Sequence, residues 1–272
     1  MIYETFDPHP NLNAFVKCHW ILEVPADLKA PKQRVIPDGC FEMCFILGDD
    51  IKRFISETEY IIQPRAMVFG QITKPYYVQP TGYANAFAVR FYPYGFANFT
   101  TRPINELADR ETPLTALFEE SLVRELEQNI VNASSTEVRI EIVEKFLLDR
   151  LSDQSVIDKI VKSTIDALAQ TKGNASINSI LKGDMSKRRS LERNFSKQVG
   201  ISPKQLGKII RLQAALELML NDDQASLTQI AYDSAYYDQA HFIKDFKEFT
   251  GINPKEFFTE DQMLLSSLIY SK

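Results

Sequence analysis

The sequence predicts an α+β chain: short strands first, amphipathic helices in the middle, and an all-α segment at the C-terminal end. Three observations lead there. Up to about residue 107 the chain is rich in Val, Ile, Phe and Tyr and broken by Pro and Gly; from Pro113 the apolar period becomes 3.6; and within residues 176–258 one stretch occurs twice. The boundaries expected from these changes are a β domain over 1–110, a helical connector over 111–171, a repeat-bearing domain over 172–260 and a tail over 261–272.

Composition bounds the reading. At 272 residues the chain is long enough for two domains, and 44% hydrophobic with 25% charged residues is ordinary for a globular protein. No uninterrupted apolar run approaches the roughly 18 residues of a membrane-spanning helix. Met1-Ile2-Tyr3-Glu4-Thr5-Phe6-Asp7-Pro8 has neither a basic n-region nor an apolar core, so neither a signal peptide nor a membrane partner is expected. Three cysteines do not make a disulfide framework and suit a reducing cytoplasm.

In the first part, Val35-Ile36 before Pro37-Asp38-Gly39, then Cys40 to Leu47 before Gly48-Asp49-Asp50, reads as strand, turn, strand, turn. Ala86 to Tyr92 ends at Pro93 in the same way. Many short strands with such turns predict a barrel or sandwich. An aromatic crowd that includes Tyr83, Phe87 and Tyr92 surrounds Arg90. These four either line a pocket for an aromatic or acidic effector or help fill the barrel. His9 and His19 are the only histidines here, too few for an enzymatic metal site. Cys18, His19, Cys40 and Cys44 are ligand types that suit zinc, but Cys40 and Cys44 at period 2 also read as buried strand side chains. No metal and no cofactor are expected. No Ser-His-Asp spacing can be assigned, so no enzyme is expected either.

The middle segment shows three stripes. Leu114, Leu117, Phe118, Leu122 and Leu126 form the first. Val138, Ile142, Phe146 and Leu147 form the second, opened by the box Ser134-Ser135-Thr136-Glu137. Ile157, Ile160, Val161, Thr164 and Leu168 form the third. Thr171-Lys172-Gly173-Asn174 reads as a short linker.

The repeat is Phe195-Ser196-Lys197-Gln198-Val199-Gly200-Ile201-Ser202-Pro203-Lys204, returning as Phe246-Lys247-Glu248-Phe249-Thr250-Gly251-Ile252-Asn253-Pro254-Lys255. Each copy reads as a helix ended by a glycine at the left-handed position and restarted by a cap before proline. A shorter apolar turn precedes each, Ile177 to Leu181 and Leu227 to Ala231, the latter capped by Ser226. Short helix, turn, longer helix is a helix-turn-helix. The net charge of −5 is unevenly spread: nine cations face two acids between Lys182 and Arg211, the footprint of a chain that holds phosphates with one part. A solvated helix face would account for the charge run but not for the repeat.

At Arg189-Ser190-Leu191-Glu192-Arg193-Asn194-Phe195 with Gly200-Ile201-Ser202-Pro203, and at Tyr236-Tyr237-Asp238-Gln239-Ala240-His241-Phe242 with Phe246, Gly251 and Pro254, the chain resembles the AraC/XylS family of transcription regulators. Arg34-Val35-Ile36-Pro37-Asp38-Gly39-Cys40 and Val89-Arg90-Phe91-Tyr92-Pro93-Tyr94-Gly95-Phe96 resemble the cupin-like N-terminal domain of one branch of it. The resemblance implies a cupin-like β-barrel, a helical connector and an all-α domain with two helix-turn-helix units on a long joining helix. It implies double-stranded DNA as a partner, and brings RNA polymerase, a small-molecule effector and a homodimer into consideration. The family's glycine in each tight turn falls at or beside Asp184 and Ala235 here.

With Leu191, Phe195 and Val199 in the core, Arg188, Glu192 and Ser196 face outward, flanked by Arg189 and Arg193. In the second unit the same geometry exposes Gln239, Ala240, Ile243, Lys244 and Lys247. Arg can bind guanine, Glu192 can accept from cytosine or orient an arginine, Gln239 can read adenine and Ile243 can touch a thymine methyl. Lys204, Lys208, Arg211 and Lys247 are expected on phosphates. His241 is expected to support helix packing. The alternative is a ligand-binding or catalytic cupin-like protein whose helical domain serves assembly.

Overall fold

The computed structural model describes residues 1–26, 31–151, 157–221 and 225–257. Phe258 and the expected tail over 261–272 lie outside the described residues.

The N-terminal strands are β1 (Ile2–Phe6), β2 (Val16–Val24), β3 (Gln33–Val35), β4 (Phe41–Ile46), β5 (Ile51–Phe54), β6 (Tyr60–Ile62), β7 (Ala66–Phe69), β8 (Tyr76–Pro80), β9 (Ala84–Phe91) and β10 (Glu111–Pro113). They form two antiparallel sheets, ordered β1-β2-β9-β4-β7-β10 and β3-β8-β5-β6. The alternation of side chains divides the larger sheet into two faces. Phe41, Met43 and Phe45 of β4 and Phe87, Val89 and Phe91 of β9 enter the core shared with the helices. Cys44, Ile46, Ala86 and Ala88 point the other way and form a second cluster with Met67, against which Trp20, Ile51 and Phe69 pack. A cavity lies on that second face, walled by residues of both sheets.

Helices follow: α1 (Glu120–Asn132), α2 (Thr136–Leu148), α3 (Lys159–Gln170), α4 (Ile177–Ile180), α5 (Arg188–Val199), α6 (Pro203–Asn221), α7 (Leu227–Asp233), α8 (Gln239–Thr250) and α9 (Pro254–Phe257). Two local expectations are corrected. Leu114 lies in a separate 3-10 turn, Leu114–Ala116, so the stripe is out of phase: α1 buries Val123, Leu126 and Ile130 and leaves Leu122 exposed. The cap of α2 is Ser135, whose side chain accepts from the Val138 amide, one residue after the Ser134 that opens the expected box.

Helix α3 packs against α4, α5 and α6. The linker after it is held tightly. Gly173 sits at φ +79°, and a Cβ there would stand 2.0 Å from the Gly207 carbonyl oxygen of α6. Only glycine at 173 permits that approach. One apolar core therefore runs from the larger sheet through α1–α3 into α5, α6 and α8.

Candidate nucleic-acid interface and effector cavity

Both helix-turn-helix units follow from capping and burial. Ser176 and Ser226 cap α4 and α7 by accepting from the Ser179 and Gln229 amides, each at 3.1 Å. Asp238 caps α8 through the His241 amide at 2.7 Å. Helix α5 ends at Gly200 with φ 90° and α8 at Gly251 with φ 80°, the left-handed conformation that ends a helix at low cost. Ser202 and Gln205 then exchange hydrogen bonds in a reciprocal box, the Gln205 amide donating to Ser202 Oγ and the Ser202 amide to Gln205 Oε1. In the second copy the Asn253 amide donates to Glu256 Oε2 at 2.8 Å.

The turn before α5 does hold a glycine in the left-handed region, Gly183 at φ +82°, one residue before the position expected at Asp184. Asp184 instead accepts from the Ser186 amide. The turn before α8 places Ala235 at φ 59°.

Leu191, Phe195 and Val199 are fully buried, and so are Phe242 and Phe246. The opposite faces are open. Arg188, Arg189, Glu192 and Arg193 are exposed on α5, with Arg188 Nε 2.9 Å from Glu192 Oε1. On α8, Ala240, Lys244 and Lys247 are exposed and Ile243 half-buried; with Glu248 these four line a shallow open depression. Gln239 is half-buried and receives a hydrogen bond from Thr228 Oγ1 at 2.9 Å. Lys204 is exposed at the start of α6.

Lys208 and Arg211 are placed differently from the outward phosphate contacts expected of them. Both turn to Asp245 of α8, whose side chain is only 2% exposed. Lys208 Nζ lies 3.1 Å from Asp245 Oδ1 and 3.0 Å from Glu248 Oε2, and Arg211 Nη2 lies 3.8 Å from Asp245 Oδ2 while Nη1 donates to the Gly173 carbonyl. His241 Nε2 stands 3.4 Å from the same carboxylate, and its ring meets Tyr236 edge-on. A buried anion recruits its cations inward, because leaving it uncompensated costs several kcal/mol. The sequence reading missed Asp245. Its signal was an acid in the buried stripe of α8 at i+3 from Phe242. Tyr237, 85% exposed just before the α8 cap, was also assigned no role.

The four residues proposed for an effector pocket are not brought together. Phe87 points into the helix-facing core, and neither Tyr83 nor Tyr92 lines the cavity between the sheets. Arg90 lies on the cavity side of its strand, ion-paired to Asp38 and 3.6 Å from Glu42, its cross-strand neighbour. Asp38 and Glu42 do line that cavity, together with Tyr3, Trp20, Cys40, Cys44, Phe69 and Tyr76. Cys18, Cys40 and Cys44 are free thiols. Burial pushes Cys40 up to about 11 and raises Cys44 further, which keeps both protonated. Among the described residues no group of three or more His, Cys, Asp or Glu side chains is placed to hold a metal ion, and no helix is long and apolar enough to cross a membrane.

Comparison with known proteins bears on this geometry. Residues 185–260 match the family described as Helix-turn-helix domain, covering α5 to α9. The chain carries an AraC-type helix-turn-helix domain. Residues 4–113 match a second family, described as Domain of unknown function (DUF6597) and cupin-like here in its two antiparallel sheets. An "Uncharacterized HTH-type transcriptional regulator" of Haemophilus influenzae is 27% identical over 135 residues, which is 48% of this chain and 45% of that protein, so the match spans less than half of the relative. The structure of ToxT from Vibrio cholerae superposes with a TM-score of 0.50 at 13% identity, covering 88% of this chain and 98% of that one. That likeness is one of fold and runs over most of both chains. The helix-turn-helix match and the regulator-like relative together support a DNA-binding domain at this end of the chain.

Proposed function

We propose that this chain is a cytoplasmic, sequence-specific transcriptional regulator that reads two adjacent major-groove segments, one with α5 and one with α8. The observation that carries it is the repeated unit mounted on a single helix of 19 residues, α6. At about 1.5 Å per residue that helix is about 28 Å long, close to the roughly 34 Å between major-groove segments on one face of a duplex. Arg188, Arg189, Glu192 and Arg193 meet bases in one segment; Gln239, Ala240, Ile243 and Lys244 meet them in the other. Lys204, Lys247 and Tyr237 hold the backbone. Lys208 and Arg211 instead keep α8 on α6.

The cavity between the sheets is the effector site. Asp38, on its wall, belongs to the loop Pro37-Asp38-Gly39 that touches α6. The Pro37 carbonyl accepts from Gln213 Nε2 at 2.5 Å, and a Cβ at Gly39 would stand 3.2 Å from Leu206 Cδ1. Occupancy of the cavity thus acts on the helix that spaces the two readers.

Selection of bound sequences from genomic fragments tests the reading, followed by binding measured across salt. A bipartite site with half-sites about 10 base pairs apart, and affinity falling steeply with salt, is expected. A folded protein that binds no DNA at low salt would leave the helical part an assembly domain and overturn the proposal.

A further inference from the structure

The cavity between the sheets measures about 150 Å³, the size of an engineered cavity known to hold benzene. Its wall is aromatic. The rings of Tyr3 and Trp20 lie 6.2 Å apart, and those of Phe69 and Tyr76 stack at 6.4 Å. The charged groups that reach it are the carboxylates of Asp38 and Glu42. Arg90 is shared between them, so one guanidinium stands against two carboxylates. Lys17 adds a weaker cationic field at Glu42, and the two carboxylates border an apolar space. Glu42 takes the Trp20 indole N–H on Oε1 at 3.2 Å and turns the same oxygen to Arg90, so neither partner engages Oε2. Desolvation raises the pKa of Glu42 against the opposing fields of Arg90 and Lys17, and a cation bound beside it would favour its charged form. The Tyr3 hydroxyl, pushed up to about 12 by burial, stays neutral.

From this arrangement we propose that the cavity binds a small organic cation: an ammonium on a body about the size of one ring, held by the aromatic faces and by Glu42 and Asp38. Ring faces attract a cation through their quadrupole, and most strongly where water is excluded. An acidic effector, the other class the position of Arg90 suggested, meets the wrong sign, because Arg90 is already spent on two carboxylates. The inference rests on the effector reading above. It adds that the ligand's charge is drawn toward Asp38, the residue whose loop touches α6.

Trp20 is the chain's single tryptophan and lies on the cavity wall, so its fluorescence reports occupancy directly. The full-length protein is titrated with benzylammonium, benzyl alcohol and benzoate, three probes of nearly equal size. Benzylammonium is expected to saturate the signal with a Kd about tenfold or more below those of the other two, the factor that a contact of about 1.4 kcal/mol gives. Glu42→Gln keeps the shape and is expected to remove most of that preference. Benzoate binding as tightly as benzylammonium, or no saturation by benzylammonium at millimolar concentration, overturns the proposal, and the probe series on the unaltered protein decides this even if Glu42→Gln fails to fold. A gel shift on the same samples separates the two readings. Protein that shifts DNA but ignores benzylammonium loses the cation and keeps the regulator; protein that binds benzylammonium but shifts no DNA does the reverse.

Discussion

The two helix-turn-helix units share one backbone plan and differ in what holds them. Helix α5 is fixed from outside its own unit. It packs on α3 and on the 3-10 turn Ile104–Leu107, Asn194 Nδ2 donates to Asp158 at 2.8 Å, the Asp158 amide donates to Gln198 Oε1, and Gly200 lies against Gln71 and Ile104. Helix α8 is fixed from within. It lies on α6, α7 and α9, and its one buried acid, Asp245, gathers Lys208, Arg211 and His241. Comparable apolar stripes, Leu191, Phe195 and Val199 on α5 and Phe242, Phe246 and Phe249 on α8, thus sit in different surroundings, the first largely against the N-terminal part and α3, the second against the joining helix and α7. The N-terminal part meets α5 along α3, the 3-10 turn and Gly200, and meets the end of α8 at Gly251, where a Cβ would lie 3.7 Å from Pro75 Cγ.

If α5 depends on what precedes it, then cutting the chain after α3, so that α3 is lost, should do the largest damage. Val161, Ile165 and Leu168 are buried, and Leu168 Cδ2 would lie 3.3 Å from a Cβ at Gly207. Three aliphatic side chains at about 1.5–3 kcal/mol each make α3 worth about 5 kcal/mol or more to this part of the fold. We therefore place the start of the DNA-binding unit near residue 157 rather than 172. A fragment from 157 to 272 should unfold cooperatively and bind DNA, while one from 172 to 272 should be far less stable. Equal urea midpoints for the two fragments would show that α3 is a connector after all.

Asp245→Ala attacks the other attachment. Removing the acid takes away the buried carboxylate that Lys208 and Arg211 share and leaves them only Glu248 and the Gly173 carbonyl, a change that costs about 3–5 kcal/mol for fully buried pairs and less here, where Lys208 is 21% exposed and keeps Glu248. Hydrogen exchange should show α8 losing protection while α5 keeps it. Loss spread evenly over both helices would mean that the units are not held separately.

What could be read from the sequence divides along the same line. The stripes of α5 and α8, their glycine ends and the caps at Ser202, Ser226 and Asn253 were legible because each depends on residues a few positions apart. The phase of α1 was not, because the 3-10 turn at Leu114–Ala116 consumes residues that a continuous period would assign to the helix. The roles of Lys208 and Arg211 were not, because they are set by Asp245, distant in sequence. The effector pocket failed for a related reason. Aromatic residues crowd together in the sequence around Arg90, but period 2 sends Phe87 to one face of the sheet and Arg90 to the other. The pairing of Glu42 with Arg90, which defines the polar end of the cavity, exists only in the register of β4 on β9.

Base reading should separate the units more finely. Arg193→Ala is expected to cost about 1–3 kcal/mol of DNA binding and to relax specificity in one segment, and Lys244→Ala to act in the other. Selection of binding sites with each variant measures this. Should both variants change the same bases, the readers do not occupy separate segments, and the spacing set by α6 has another use.

The smallest effect is expected where the repeat departs from itself. The turn before α5 has two left-handed residues, Lys182 at φ 50° and Gly183 at φ +82°, whereas the turn before α8 has Ala235 at φ 59° and no glycine. A side chain with a Cβ is strained at that φ by about 1–2 kcal/mol, while glycine adds chain entropy to the unfolded state that offsets about 0.4–1 kcal/mol of the gain. Ala235→Gly should therefore raise stability by about 0.5–1 kcal/mol, visible as a rise in the thermal midpoint. Gly183→Ala should lower it by a similar amount, since a Cβ there meets nothing within 4 Å and only the backbone conformation resists it. Opposite signs for the two substitutions would show that both turns impose the same left-handed residue. If instead Ala235→Gly destabilises, the second turn is held by something other than its backbone preference, and the hydrogen bond from the Tyr236 amide to the Ala231 carbonyl at 2.9 Å is the first contact to examine.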